Sequence, residues 1–499
     1  MVETIPHWIN GKSCLEPINA GSPVYNPAIG EQTAVVYSAS DARCDEAVVS
    51  SAQAFEGWSQ LPPVRRAQVL FKFRDILQNN QLDLARIVTR EHGKTIDDAK
   101  GSIARAIEVV ELYCGILTQL QGSFSMNVAT QVDCLTIREP LGVCLGVSPF
   151  NFPVMVPVWM MMPAIACGNT FILKPSEQVP TAPLRLLEYL DDAGLPPGVV
   201  NLVQGDKQTV HRLIEHPLVR AVTAVGSTPV AESIYKKAIE FGKRAHTFGG
   251  AKNHAVVMRD ANIEQTADAL VGAAFGSAGE RCMAISVVVT VGDDVATRLI
   301  AALVPRIHAI KVDKGDAEKV DMGPLISQAH QERVLNAIDT GVLEGARLVV
   351  DGRQFSHASY PKGYYVGPSL FDQVTEEMSV YQQEIFGPVL VIVRVTDFDE
   401  AIALVNRHQY GNGTAIFTAD GYFAREYARR IQVGMVGVNV PIPVPVASHP
   451  FGGWKRSSFG DNNMQGTESI HFYTRLKTIT SKWPGVSDKT QDAFIMPTH

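Results

Sequence analysis

Residues 140–173 read PLGVCLGVSPFNFPVMVPVWMMMPAIACGNTFIL and contain no charged side chain. The run is long enough to cross a membrane, which takes about 20 apolar residues. Prolines recur through it, however, and in lipid they would leave backbone carbonyls without hydrogen-bond donors. The prolines and two asparagines within it are Pro140, Pro149, Pro153, Pro157, Pro163, Asn151 and Asn169. The run is therefore predicted to be buried core around a polar site, and no membrane partner is expected.

Short apolar strands alternate with helices on the C-terminal side of this run. The two ends of the run, Gly142–Val147 and Thr170–Leu173, are themselves predicted strands. Such alternation indicates βαβ units and a mostly parallel sheet, so the predicted fold class is α/β. The alternation restarts after residue 260, which predicts a second α/β domain with a boundary near Gly250. The other predicted strands are Val199–Val203, Ala221–Val225, His254–Val257, Ile285–Val291, Val389–Val395, Thr414–Phe417 and Met435–Val440, and the helices include Ala182–Ala193, Thr209–Ile214, Ile263–Phe275, Phe398–Asn406 and Tyr422–Ile431.

Two strand-like segments lie outside both predicted domains, at Phe124–Ile137 and Ile470–Lys477. Each alternates weakly between apolar and polar residues, as half-buried strands do. We expect them to form a third, small sheet between subunits of a homo-oligomer.

The composition excludes several classes of function. With 499 residues, 46% hydrophobic and 19% charged, the chain is an ordinary globular protein rather than a disordered one. Its net charge of −7 comes with no basic run, so neither nucleic acid nor an anionic membrane is expected as a partner. The seven cysteines are dispersed, without a CxxC motif, which favours reduced thiols, a cytoplasmic location and no metal site. Met1–Lys12 has no secretory signal pattern.

One cysteine stands in a segment suited to nucleophilic chemistry. Cys282 comes shortly after residues 272–279, which are rich in small side chains, and its neighbour in the sequence is Arg281. Backbone N–H groups and a nearby cation favour the thiolate, which is the nucleophilic form. Gly279-Glu280-Arg281-Cys282 resembles the signature around the nucleophile of the aldehyde dehydrogenase superfamily.

The resemblance extends over essentially the whole chain. Ser148–Pro153 resembles the superfamily segment whose asparagine, here Asn151, helps to hold the oxyanion, and Glu384–Pro388 resembles a ribose contact. The resemblance implies a Rossmann-type NAD-binding domain at 1–122 and 143–249 and a catalytic domain at 250–448. It also implies oligomerisation strands at 123–142 and 465–485. The implied NAD-binding residues are Ser148, Phe150, Lys174, Glu177, Gln178, Gly226, Ser227, Glu384 and Phe386. The superfamily is generally dimeric or tetrameric, and we expect a homotetramer or dimer.

Two of these cofactor segments also make physical sense by themselves. Gly226–Pro229 ends a predicted strand and opens a helix, whose N-terminus favours a pyrophosphate, although the usual GxGxxG pattern is absent. Lys174 and Glu177 follow a strand, at the sheet edge where α/β folds bind ligands. A carboxylate at the adenosine ribose would repel a 2′-phosphate, which favours NAD over NADP. The alternative for Lys174 and Glu177 is a solvated helix cap.

The residue at position 248 indicates how the acyl group leaves. Members that hydrolyse their thioester carry a glutamate two positions before a paired glycine, where this chain has Phe248. A phenyl ring cannot activate water, so another acceptor is needed. Gly250–His254 and Tyr410–Phe417 resemble the methylmalonate-semialdehyde dehydrogenase family of the acylating branch, in which coenzyme A is the co-substrate. That family usually has asparagine in place of Phe248, and Gly249 departs from its pattern as well.

Substrates of the acylating family carry a carboxylate, so cations are expected in the pocket. The resemblance implies Arg281 and Arg105 as its partners, since a guanidinium binds a carboxylate through two parallel hydrogen bonds. Arg105 has an alternative as a surface residue paired with Glu108 along its helix.

The implied reaction is NAD-dependent oxidation on Cys282, decarboxylation, and transfer to coenzyme A. The products would be propionyl-CoA from methylmalonate semialdehyde and acetyl-CoA from malonate semialdehyde, in valine and inositol catabolism. One rival is hydrolytic oxidation of another acidic aldehyde, such as succinate semialdehyde, with Glu280 as the base. A more remote rival is a catalytically silent structural or binding protein that keeps the fold.

Overall fold

A computed structural model describes residues 2–16 and 21–483. The strands in chain order are β1 Glu3–Ile5, β2 His7–Ile9, β3 Lys12–Cys14, β4 Ser22–Asn26, β5 Glu31–Val36, β6 Phe124–Ala129, β7 Val132–Pro140, β8 Val143–Val147, β9 Thr170–Lys174, β10 Val200–Leu202, β11 Val219–Val225, β12 Arg244–Phe248, β13 Asn253–Val257, β14 Ile285–Val291, β15 Arg347–Val350, β16 Ser369–Asp372, β17 Val389–Val395, β18 Tyr410–Gly411, β19 Gly413–Phe417, β20 Met435–Val438, β21 Trp454–Lys455, β22 Ser458–Phe459 and β23 Thr474–Lys482. The helices are α1 Asp41–Gln60, α2 Pro63–Asn79, α3 Gln81–His92, α4 Ile96–Cys114, α5 Ile116–Gln119, α6 Met155–Ala166, α7 Thr181–Asp192, α8 Lys207–Glu215, α9 Thr228–Glu240, α10 Ile263–Phe275, α11 Asp293–Ala309, α12 Gln328–Leu343, α13 Ser379–Gln382, α14 Phe398–Arg407, α15 Gly421–Arg430 and α16 Gly466–Tyr473. Strands and helices thus alternate as the sequence predicted.

Two large sheets organise the chain. The first has eight strands in the order β22-β12-β11-β8-β9-β10-β2-β3, and β12 to β10 run parallel. The second has seven strands in the order β15-β16-β17-β14-β13-β19-β20, and all but β15 run parallel. The chain passes from the first sheet to the second between Phe248 and Asn253. The division into cofactor and catalytic domains at residue 250 stays a prediction.

The uncharged run at 140–173 forms β8, α6 and β9 at the centre of the first sheet. All residues of β8 are buried, because Val143 and Leu145 face helices α1, α8 and α9 while Cys144 faces the opposite core. Helix α6 is buried along its whole length, which explains its apolar sequence. Within the described residues, no helix is both long and apolar enough to span a membrane.

A separate three-stranded sheet, β23-β7-β6, joins the two predicted arms. The prediction of a strand at Ile470–Tyr473 was wrong, because these residues form the last turn of α16 and the strand begins at Thr474. Ile470, Phe472 and Tyr473 are all buried in the core beside α6, so tertiary packing decides their helical conformation. Positions 484 and 485 of the predicted arm, with 1 and 17–20 of the predicted NAD-binding domain, lie outside the described residues.

Candidate active site

Cys282 lies on a tight loop that follows α10. Ser277 and Ala278 adopt left-handed conformations, with φ of 56° and 52°. At Gly279 a side chain would come within 2.2 Å of the carbonyl oxygen of Gly387, so the loop needs glycine there. The small residues before Cys282 therefore serve a close backbone approach to the Gly387 loop.

The thiol of Cys282 is partly exposed, and its resting form is protonated. Burial by the surrounding protein, followed by the Glu384 carboxylate, raises its pKa to about 12. The backbone N–H groups of Cys282 and Met283 oppose this shift, as does the Lys94 ammonium. Lys94, rather than the expected Arg281, thus supplies the positive charge that favours the thiolate.

Asn151 is buried beside this loop. Its Nδ2 donates to the carbonyl oxygen of Glu280 at 3.0 Å, which joins the loop after β8 to the nucleophile loop. An amide nitrogen carries two hydrogens, so one remains for a developing oxyanion. Lys94 donates from Nζ to the backbone oxygen of Asn151 at 2.7 Å and lies 4.2 Å from the centre of the Phe152 ring. The sequence prediction missed Lys94, because nothing in its local pattern marks a lysine that is only 1% exposed.

Three predicted cofactor segments meet at one edge of the first sheet. Because β11, β8 and β9 are adjacent and parallel, their carboxyl ends bring together residues 226–227, 148–150 and 174–178. Lys174 pairs with Glu177 at 3.2 Å. Ser227 begins α9 without a side-chain capping bond, whereas Thr228 accepts from the backbone N–H of Gly250 at 2.9 Å. This edge of the sheet therefore presents the N-terminus of α9 and a Ser227 hydroxyl that makes no capping hydrogen bond.

The remaining predicted cofactor residues, Glu384 and Phe386, reach Cys282 from the side of the second sheet. Glu384, Phe386, Arg281 and Cys282 line one cavity. The carboxylate of Glu384 accepts from the backbone N–H of Ala251 at 2.8 Å, and its enclosure raises the pKa to about 7. The Phe386 ring meets Phe150 edge-on, with ring centres 5.9 Å apart.

Comparisons with known proteins identify the family of this chain. The model of the aldehyde dehydrogenase family matches residues 16–479. The chain belongs to the aldehyde dehydrogenase family. A malonate-semialdehyde dehydrogenase of Pseudomonas aeruginosa is 50% identical over 494 residues, covering 99% of each chain.

Two solved structures have nearly the same fold. One, from Sinorhizobium meliloti, is a candidate methylmalonate-semialdehyde dehydrogenase in complex with NAD, with a TM-score of 0.96 and 51% identity over 98% of this chain and 100% of that one. The other is a methylmalonate-semialdehyde dehydrogenase of Oceanimonas doudoroffii, with a TM-score of 0.96 and 46% identity over 97% and 99%. The predicted superfamily and fold class are confirmed.

In this aldehyde dehydrogenase, Phe248 stands where a glutamate is expected in members that hydrolyse their thioester. Its side chain is 4% exposed and belongs to the apolar core that also packs against Cys282. Glu280, the base of the hydrolytic alternative, is fully buried and points into the protein, where Oε1 accepts from the backbone N–H of Ile326 at 3.1 Å. Burial raises the pKa of Glu280 well above its usual range. Neither residue suits the activation of water.

The two predicted substrate arginines have protein partners. Arg281 donates to Asp98 at 2.6 Å and lines the cavity of Cys282. Arg105 pairs with Glu108 at 2.6 Å, which is the contact expected if it does not bind the substrate. It also donates to the backbone oxygen of Pro445 at 2.6 Å. Asp98 and Arg105 lie two turns apart on the same face of α4. Among the described residues, no group of three or more His, Cys, Asp or Glu side chains is placed to hold a metal ion.

Proposed function

We propose that this aldehyde dehydrogenase oxidises malonate or methylmalonate semialdehyde with NAD and transfers the decarboxylated acyl group to coenzyme A. The observation that carries the acyl transfer is the apolar, buried Phe248 at the position where hydrolytic members have their glutamate. The relatives named malonate- and methylmalonate-semialdehyde dehydrogenases support the choice of substrate.

Cys282 is the nucleophile of the proposed reaction. The thiol releases its proton to solvent, and the thiolate attacks the aldehyde carbon. The oxyanion takes hydrogen bonds from the Asn151 amide and the backbone N–H of Cys282. Bound NAD supplies the hydride acceptor, so that a thioester remains on Cys282. The substrate carboxylate lies β to that carbonyl, which absorbs the electrons released with carbon dioxide, and the resulting enolate takes a proton from solvent. Coenzyme A then displaces Cys282 by thiol–thioester exchange.

The residues proposed to hold NAD lie at the carboxyl ends of β11, β8 and β9 and in the loop before β17. The N-terminus of α9 at Gly226 and Ser227 suits the pyrophosphate. Lys174 and Glu384 suit the two riboses. The other members of the set are Ser148, Phe150, Glu177, Gln178 and Phe386.

Arg281 and Arg105 are proposed to bind the substrate carboxylate. Asp98 takes one side of the Arg281 guanidinium, and a guanidinium has five N–H donors, so others remain for the substrate. Arg105 completes the site from the same face of α4.

The location and assembly are proposals of the same kind. Seven dispersed thiols, all free, support a cytoplasmic enzyme, and the substrate class supports valine and inositol catabolism. The β23-β7-β6 sheet exposes large apolar side chains, including Phe124 at 63% and Met126 at 76%, which supports a homotetramer or dimer built on this sheet.

The decisive experiment is NADH formation from malonate semialdehyde with and without coenzyme A. We expect turnover to require coenzyme A and to yield acetyl-CoA and carbon dioxide, while a Cys282→Ala control is inactive. Turnover without coenzyme A that gives a free acid would favour the hydrolytic rival, with succinate semialdehyde as the next substrate to test. Biological activity retained by Cys282→Ala would favour a silent protein.

A further inference from the structure

A buried carboxyl group, that of Glu280, lies between two histidines and two residues before Cys282 in the sequence. Glu280 and His92 have no exposed surface, and His330 is 7% exposed. His92 Nε2 lies 3.7 Å from Oε2 of Glu280, and His330 Nε2 lies 3.4 Å from Oε1. These three residues form the Glu280 cluster, and the proposed reaction gives it no task.

The hydrogen bonds fix which ring nitrogens of the cluster carry hydrogen. His92 Nδ1 accepts from the backbone N–H of Lys94 at 3.3 Å, so the neutral ring has its hydrogen on Nε2, facing Glu280. His330 Nε2 faces the backbone oxygen of Phe386 at 2.7 Å and therefore donates to it. Burial lowers the pKa of both histidines, which keeps both rings neutral. The two atoms left without another partner, His92 Nε2 and Glu280 Oε2, point at each other.

Each of the three residues of the Glu280 cluster contacts a segment of the proposed active site. The Glu280 backbone holds the Asn151 amide, His330 holds the Phe386 backbone, and the His92 ring stacks on Phe150 at 5.8 Å. The loop after β8 that carries Phe150 and Asn151 (the oxyanion loop) thus meets the Glu280 backbone directly and the Glu280 side chain through His92. The Phe386 loop meets the same side chain through His330.

We propose that Glu280 is a positioning residue, which fixes the oxyanion loop relative to Cys282 through its backbone carbonyl and His92, and the Phe386 loop through His330. It acts by shape and hydrogen bonding, not by proton transfer. This inference rests on the role proposed for Asn151, and so its test needs a readout that is independent of substrate.

The test compares Glu280→Gln with Glu280→Leu in the full-length protein. Glutamine keeps an oxygen for the Ile326 N–H and a similar shape, whereas leucine keeps the volume without hydrogen bonds. We expect Gln to stay within a few fold of the parent in kcat, with an unchanged pH profile. Leu should lose roughly 10²-fold in kcat, the loss typical of one oxyanion donor, and should raise KM for NAD.

Two controls separate positioning from general destabilisation. Asp372→Leu removes another fully buried carboxylate, which pairs with Arg394 at 2.7 Å, and should lower the melting temperature while leaving kcat unchanged. In an Asn151→Ala background, Glu280→Leu should cost only a small further factor, since the amide it positions is gone.

The rate at which iodoacetamide alkylates Cys282 supplies the readout that needs neither aldehyde nor coenzyme A. We expect this rate to change in Glu280→Leu and to return to the parent value in Glu280→Gln. If both variants lose activity equally, the ionisable group itself is required and positioning is refuted. A folded Glu280→Leu protein with parental alkylation and kcat refutes it as well. Missing dependence on coenzyme A, with these patterns intact, would refute the proposed function alone.

Discussion

Replacement of Lys94 by methionine tests whether a buried cation organises the oxyanion loop. The Lys94 ammonium donates to the backbone oxygen of Asn151 at 2.7 Å and lies 3.7 Å from Asp98. Methionine has a similar length and flexibility, so it fills the space without the charge. The variant therefore removes the hydrogen bond and the ion pair while leaving little cavity.

The expected loss of stability follows from three contacts. A hydrogen bond from a charged donor is worth about 1.5–3 kcal/mol, and the desolvated contact over the Phe152 ring about 2 kcal/mol. At 3.7 Å the attraction to Asp98 is roughly 4 kcal/mol for an effective dielectric constant of 20. Relief of the ammonium's desolvation cancels much of this sum. Because Arg281 still pairs with Asp98, the carboxylate is not left alone, and we expect a net loss of about 3 kcal/mol, the lower end for a broken buried pair.

The catalytic effect should exceed what instability alone would produce. Loss of the Asn151 anchor should lower kcat roughly 10²-fold, as loss of an oxyanion donor does. Urea unfolding followed by circular dichroism gives the stability, and NADH formation gives kcat. Lys243→Met is the matched control, since Lys243 is also a buried residue whose Nζ donates to a backbone oxygen, that of His216 at 2.9 Å. A folded Lys94→Met enzyme with parental kcat, or an equal loss in Lys243→Met, would refute the reasoning.

Three further changes have defined outcomes. Phe248→Glu should lower the melting temperature and introduce slow NADH formation without coenzyme A, because burial raises a carboxyl pKa toward that of a general base; an unchanged requirement for coenzyme A would contradict this. Since burial raises the Cys282 pKa to about 12, its thiolate fraction rises with pH, and alkylation by iodoacetamide without NAD should accelerate about tenfold per pH unit between pH 7 and 9; a plateau below pH 8 would count against it. Arg281→Leu should raise KM for malonate semialdehyde at least tenfold, the worth of about 1.4 kcal/mol, while leaving KM for propanal nearly unchanged; equal shifts for both aldehydes would exclude carboxylate binding.

Elements with strong local patterns were predictable to the residue. Ile263–Phe275, Ile285–Val291 and Val389–Val395 have the predicted bounds. The helix buries one face at helical spacing, and the two strands are continuous apolar runs that are buried almost throughout, as strands inside a parallel sheet are. Ile470–Tyr473 was not predictable, since apolar residues at i, i+2 and i+3 fit a strand or a helix turn equally. Their conformation is set by the core beside α6, which belongs to a distant part of the chain.

The candidate site shows the same division between local and distant information. A short motif predicts Cys282 as the nucleophile, because the small-residue loop before it and the resemblance of Gly279–Cys282 to the superfamily signature are visible in the sequence itself. The motif does not reveal that Glu280, two positions earlier, points away from the reaction and into a pair of histidines. Nor does it reveal that Lys94, far away in the chain, holds the Asn151 backbone. Charged residues are ordinarily exposed, so their burial depends on contacts that no local pattern encodes.

The charges around Cys282 support an acidic substrate more strongly than Arg281 does alone. Asp98 lies between two cations, 2.6 Å from Arg281 and 3.7 Å from Lys94. These three groups sum to one positive charge in a largely enclosed setting, where an uncompensated charge is costly. The Glu384 carboxyl in the same cavity, with its pKa raised to about 7, is only partly ionised at neutral pH and offsets part of that charge. A substrate carboxylate at Arg281 would bring the sum to zero, whereas a neutral aldehyde would leave it uncompensated. If Arg281 binds the substrate as proposed, the Asp98 bond does not take Arg281 away from the substrate but suits the pocket to a monoanion.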